Sequence, residues 1–157
     1  MLSEVELSSF ALYTEKNMPF IIMRECSGDR TFTIPVTTME ANSIALHSLN
    51  VSSGKPGFVE IINRLIEIQG GIVEKIILQL SGDSVDARIV IIVNSKQAIV
   101  LNSDAADAIV LALHCNAPMF AEDAMLTHFT TGTVAEQDGL KTHIAETDTL
   151  EFGSFYW

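Results

Sequence analysis

Residues 102–118 of this chain read NSDAADAIVLALHCNAP, and an earlier stretch, residues 37–49, reads TTMEANSIALHSL. Both stretches begin with small polar and acidic residues and then carry Ile-x-Leu on one helical face. Superposing Ile44 on Ile109 gives an offset of 65 residues, which also aligns apolar residues in the segment before each helix. The similarity between the two stretches predicts a duplicated unit.

Turn signals and apolar periodicity predict the same series of elements twice. Strands are predicted over residues 2–13, 19–25, 31–36, 72–80, 86–93 and 97–101. Helices are predicted over residues 37–49, from residue 58 to the Gly70-Gly71 stop, and from a cap at Asn102 or Ser103 to about residue 116, with a short helix over 121–126. The fold class is therefore α+β: duplicated β-β-β-α units with a linker helix, and a mixed, mainly antiparallel sheet packed against the helices.

The composition changes near residue 126. We expect residues 1–126 to form one domain and residues 127–157 to be an acidic, Thr-rich extension with an aromatic end. Residues 119–157 carry seven acidic residues against one lysine, a charge of −6.

Charge and composition restrict the function classes. The net charge of −11 disfavours tight binding of nucleic acid, because phosphate backbones are repelled. The apolar runs are too short for a membrane span, and residues 1–4 lack the basic start of a signal peptide. We expect a cytoplasmic protein without a membrane partner, in which Cys26 and Cys115 are two buried free thiols.

Carboxylates are the first candidates for chemistry. Glu40 falls in the first turn of one repeated helix, and Asp104 and Asp107 fall in the first turn of the other. If the duplication brings the helix starts together, these three side chains would be metal ligands for Mg²⁺ or Mn²⁺, as in many phosphodiester hydrolases. The alternative is that they only cap the helices and complement the helix dipoles.

Two histidines occupy related places near the ends of the repeated helices. His47 and His114 each lie close to a predicted C-terminus. A favourable contact with the negative end of the helix dipole explains both without any binding role.

The element order and several motifs resemble the bifunctional nuclease domain family. The resemblance rests on residues 34–36 (IPV), 40–41 (EA), 44–46 (IAL), 107–113 (DAIVLAL) and 117–120 (APMF). It implies an α+β domain that forms homodimers, with DNase and RNase activity. Glu60 and His114 stand where the family carries an Asp and an Arg, and we expect Glu60 or His114 to act as an auxiliary acid or base.

Two hypotheses follow. The first is a metal-assisted nuclease that uses Glu40, Asp104 and Asp107 as ligands, with Glu60 and His114 as catalytic residues. The second is a non-catalytic homodimeric module that binds a protein or a small ligand, with the acidic extension and its aromatic end as the contact surface. The second is favoured by residues 102–107, NSDAAD, since the family pattern Asp-x-Arg-Pro-Ser-Asp keeps only its last Asp here.

Overall fold

The computed structural model describes residues 1–13, 17–52 and 54–128, which form one α+β fold. The first unit contains β1 (Leu2–Tyr13), β2 (Met18–Glu25), β3 (Arg30–Pro35) and α1 (Thr38–Ser48). After α2 (Phe58–Ile68), the same order returns with β4 (Gly71–Ser81), β5 (Ser84–Val93), β6 (Gln97–Asp104) and α3 (Ala105–Cys115). The described chain closes with β7 (Met119–Glu122), a 3-10 turn at Asp123–Met125, and β8 (Thr127–His128). The predicted class is confirmed, while the extension beyond residue 128 lies outside the described residues.

The described strands form one sheet in the order β6-β5-β4-β7-β1-β2-β3-β8. Neighbouring strands are antiparallel except β4 and β7, which run parallel. The sheet is therefore mixed and mainly antiparallel, and β7 joins its two halves. The short helix predicted over residues 121–126 is confirmed only in part, as a 3-10 helix at Asp123–Met125. Met119 and Ala121 are buried between β1 and β4, so this stretch begins as a strand and only one 3-10 turn follows.

α1 begins as predicted, with a capping box. The Thr37 hydroxyl accepts a hydrogen bond from the Glu40 amide at 3.2 Å, and the Glu40 carboxylate accepts one from the Thr37 amide at 2.6 Å. The two hydrogen bonds satisfy backbone donors that a helix start leaves without partners.

The start of α3 differs from the prediction. Asn102 and Ser103 remain in β6, and Asp104 caps the helix by accepting a hydrogen bond from the Ala106 amide at 3.0 Å. The caps Thr37 and Asp104 are thus 67 residues apart. This shifts the correspondence between the two helices by two positions from the offset of 65, while the duplication itself stays a prediction.

The core lies between the sheet and two adjacent helices. α1 packs on β2, α3 packs on β4 and β5, and the two helices pack on each other, so they cover the same face of the sheet. Ile44 on α1 and Ile109 on α3 are fully buried. α2 contacts α3 and β4 but has no buried residue. The described α-helices have 11 residues each, about half of the ~20 that a bilayer span needs. None of them can cross a membrane.

A polar network, which we call the Arg30 network, ties the first unit to the 3-10 turn. Arg30 donates two hydrogen bonds to the Glu25 carboxylate, at 2.6 and 2.9 Å, and Glu25 is buried. The Ser3 hydroxyl donates to Asp123 at 2.6 Å, and Arg30 lies 3.5 Å from the same carboxylate. These contacts join β1, β2, β3 and the turn after β7.

Both cysteines are free thiols, as predicted. The predicted burial is wrong for Cys26, which is exposed in the turn after β2, whereas Cys115 is partly buried at the end of α3.

Candidate functional site

Three helices bring His47, Glu60 and His114 together, a group we call the helix-end triad. One ligand atom of each side chain lies within 4.8 Å of those of the other two. The Nε2 atom of His47 is 3.5 Å from a Glu60 carboxylate oxygen, and the two imidazole rings meet edge-on with centroids 5.8 Å apart. Among residues 1–13, 17–52 and 54–128, it is the one group of three His, Cys, Asp or Glu side chains this close together.

The local fold explains the convergence. His47 and His114 lie in the last turns of α1 and α3, which run side by side in the same direction. The chain leaves α1 through residues 50–57 and returns as α2, so Glu60 in the first turn of α2 faces the two histidines. Two helix C-termini and one N-terminus therefore meet at a single place.

A backbone contact fixes the orientation of His47. Its Nδ1 atom lies 2.8 Å from the carbonyl oxygen of Ser43, one helical turn earlier. A neutral imidazole that donates from Nδ1 keeps its lone pair on Nε2. Nε2 is the nitrogen that faces Glu60.

The surroundings of Glu60 favour its ionised form. The pKa of this carboxyl is lowered, first by a hydrogen bond with its own backbone amide, whereas partial burial acts in the opposite direction. The charge of His47, the Gly57 amide and the charge of His114 lower the pKa further. The side chains of His47 and Glu60 keep 18% and 37% of their surface exposed, so solvent reaches the triad.

Cys115 lies next to His114 in the sequence, but its thiol is not part of the helix-end triad. Its thiol donates to the Asn63 side-chain oxygen at 3.2 Å. Burial, followed by the charge of Glu67, raises the pKa of the Cys115 thiol to about 11.

The predicted carboxylate ligands lie at the other end of the same helices. Glu40 and Asp104 serve as helix caps. Partial desolvation raises the pKa of Asp107, and the charges of Asp104 and Glu40 raise it further. The three carboxylates are thus neighbours, but their oxygens do not gather as closely as those of the helix-end triad. Their role as metal ligands stays a prediction.

The two predicted catalytic residues, Glu60 and His114, are brought together, and the sequence argument missed their partner His47. A signal was present in the sequence. His47 follows Glu40 by seven residues and His114 follows Asp107 by seven, so the acids and the histidines occupy equivalent positions on the two helices.

The fold and the triad define an α+β domain with a potential ligand centre where three helices end. Residues 21–132 match the bifunctional nuclease domain. The chain belongs to this family.

Two similar proteins come from Mycobacterium tuberculosis, one from strain CDC 1551 / Oshkosh and one from strain ATCC 25618 / H37Rv. Each is an uncharacterised protein that is 26% identical over 126 residues, which cover 80% of this chain and 74% of the relative.

Proposed function

We propose that this protein is a metal-assisted nuclease that hydrolyses phosphodiester bonds at the helix-end triad. Membership of the bifunctional nuclease domain family supports the reaction class. The observation that carries the proposal is the convergence of His47, Glu60 and His114 from three separate helices. A cytoplasmic location and a nucleic-acid substrate are parts of the same proposal.

In this proposal the cation binds at the helix-end triad rather than at the helix starts, where the sequence predicts it. Glu40 and Asp104 are already engaged as caps, whereas the helix-end triad presents an ionised carboxylate and two imidazoles. Three protein ligands leave a coordination position for water or a phosphoryl oxygen, which is the arrangement of catalytic metal sites. A bound divalent cation supplies charge neutralisation at the phosphoryl group and lowers the pKa of an attacking water.

The local charge at the triad suits a phosphodiester better than the net charge of the chain does. Glu60 is the one acid of the triad, and a divalent cation would make the site positive. The triad is also open to solvent, so a polymer could approach it without entering a closed cavity. Attraction at the site would then oppose the long-range repulsion from a chain of charge −11, and cleavage should be slow at low salt and low metal.

The test is cleavage of single- and double-stranded DNA and RNA by the purified full-length chain, with added divalent metals and with EDTA. Glu60→Gln and His114→Gln should lower the rate by at least about 100-fold, since metal-assisted steps supply several kcal/mol. Glu67→Gln is the matched control, because it removes the same charge from the same helix but lies beside Arg64. Equal loss in the control, or undiminished cutting in both triad variants, would contradict the proposal.

A second candidate function is the non-catalytic homodimeric module. The observation that favours it is an apolar stripe along α2, which we call the α2 stripe, in which Phe58, Leu65 and Ile68 are 77%, 57% and 64% exposed. Ile61, at 48% exposure, continues the stripe between them. Exposed apolar faces of this kind are typical of interfaces, and a second copy of the chain presents the same face by two-fold symmetry.

A further inference from the structure

We infer that the helix-end triad is a binding site for a zinc-class transition metal, and that it discriminates against magnesium and calcium. The inference rests on the location of the site in the proposed function, but it concerns the identity of the ion. It can therefore fail or hold independently of nuclease activity.

The donor atoms decide which ions fit. The triad offers two imidazole nitrogens and one carboxylate. Magnesium and calcium take oxygen ligands almost exclusively, whereas imidazole suits zinc, copper, iron and nickel. Two histidines and a glutamate are also the three protein ligands of one common class of catalytic zinc site.

The spacing agrees with a single shared ion. Ligand atoms at ~2.0–2.1 Å from a tetrahedral zinc lie about 3.3–3.4 Å from each other. His47 Nε2 and Glu60 are 3.5 Å apart, close to that value. The remaining separations between ligand atoms are at most 4.8 Å. Side-chain rotations that move these atoms by about 1 Å would bring them to the spacing of ligands around one zinc ion.

The second nitrogen of His47 provides an independent argument. Metal-binding histidines usually donate their other N–H to a carbonyl or carboxylate, which fixes the ring and its tautomer. The contact from His47 Nδ1 to the Ser43 carbonyl is of this kind.

An ion pair between protonated His47 and Glu60 is the competing interpretation. It accounts for the contact of 3.5 Å between His47 and Glu60, but it does not require the convergence of His114 on the same place. A divalent cation satisfies all three side chains together.

The site would also connect the helices. α2 has no buried residue and rests on α3 and β4, whereas α1 and α3 form the core. An ion bound to His47, Glu60 and His114 would tie α2 to both. We therefore expect zinc to raise the melting temperature of the protein, since a ligand that binds only the folded state stabilises it.

The experiment uses the full chain, stripped of metal with EDTA and dialysed. Zinc and magnesium binding are measured by calorimetry, and Co²⁺ is added as a visible probe of four-coordinate geometry. We expect one zinc ion per chain and visible Co²⁺ absorption without a thiolate band, because the Cys115 thiol is hydrogen-bonded to Asn63 and does not belong to the helix-end triad. Each of His47→Gln, Glu60→Gln and His114→Gln should weaken zinc binding beyond the about 10–100-fold that the loss of an outer partner costs. Glu67→Gln should leave it unchanged.

Each outcome of these measurements either supports or overturns the inference. Comparable binding of zinc and magnesium, zinc binding that survives in both histidine variants, or a thiolate band would overturn it. If a triad variant loses its fold, the Co²⁺ spectrum and zinc-dependent melting of the unmodified chain still decide between a His-rich site and none. Zinc binding without cleavage would retain the metal site and refute the nuclease, whereas cleavage with magnesium alone would do the reverse.

Discussion

Asp107 carries a carboxyl that opposes folding at neutral pH. Its pKa is raised, first by partial desolvation and then by the charges of Asp104 and Glu40. The folded state therefore binds this proton more tightly than the unfolded chain, and stability falls as the pH rises through the raised pKa. We predict that Asp107→Asn increases the free energy of unfolding at pH 7 by a few tenths of a kcal/mol, up to about 0.5 kcal/mol, since the residue is largely exposed. Urea denaturation at pH 7 and pH 4 measures the change, which should shrink at the lower pH.

Asp104 provides the contrast within the same turn. Its carboxylate accepts a hydrogen bond from the Ala106 amide. Asp104→Ala should therefore lower the free energy of unfolding at pH 7 by about 1 kcal/mol. A loss of stability in Asp107→Asn equal to that in Asp104→Ala would show that Asp107 acts as a favourable first-turn charge, contrary to this account.

At the level of single residues, the sequence could identify Glu60 and His114 as site residues but not His47. The first two stand at motif positions of the family, whereas His47 has a complete explanation as a cation at a helix C-terminus. Its partnership depends on α1 and α3 running side by side, which the equal spacing of the acids and histidines on the two helices does not establish by itself.

Among the described α-helices, α2 is the one without a buried residue. The α2 stripe exposes Phe58 and Leu65, although the helix has the most regular apolar periodicity of the sequence. If a second copy covers the stripe, Leu65→Lys should place a charge in the interface and convert a dimer to a monomer. Sedimentation equilibrium across a range of protein concentrations measures the change.

Met39→Lys is the control for that experiment. Met39 is 83% exposed on α1, outside the α2 stripe, so its substitution adds the same charge without touching the proposed interface. A monomeric unmodified chain, or a dimer that Leu65→Lys leaves intact, would reject the α2 stripe as the interface.

Local signals were sufficient for most elements and insufficient for β7. The capping box at Thr37 and the glycines at 70 and 71 set helix boundaries through neighbouring residues alone. β7 has four residues, and its strand conformation depends on β1, more than a hundred residues earlier, and on β4. The cap of α3 moved to Asp104 for a related reason, because pairing with β5 extends β6 to that residue.

At the scale of the whole molecule, the Arg30 network should determine how folding stability changes at acidic pH. The Arg30 hydrogen bond lowers the pKa of Glu25, and the Ser3 hydrogen bond lowers that of Asp123. Because both pKa values are lower in the folded state, their stabilising contribution is complete above the unfolded values of about 4.3 and 3.9. It is lost as the pH falls through the lowered values. We predict that Arg30→Met flattens this acidic part of the stability curve, measured by thermal unfolding between pH 7 and pH 2.

Arg24→Met is the matched control. Arg24 pairs with Glu6 at 2.7 Å, but both side chains are about half exposed, at 49% and 51%. Exposed pairs contribute little, so this variant should keep the acidic part of the curve. The same flattening in both variants would mean that the network has no special part in acid unfolding.

We propose that the functional centre lies where α1, α2 and α3 meet. Anomalous X-ray diffraction from crystals grown with zinc, with data collected on both sides of the zinc absorption edge, tests it most directly. We predict one strong peak between His47 Nε2, the Glu60 carboxylate and His114, at about 2.0–2.2 Å from each ligand atom. A peak among Glu40, Asp104 and Asp107 with nothing at the helix-end triad would contradict the account and restore the helix starts as the site.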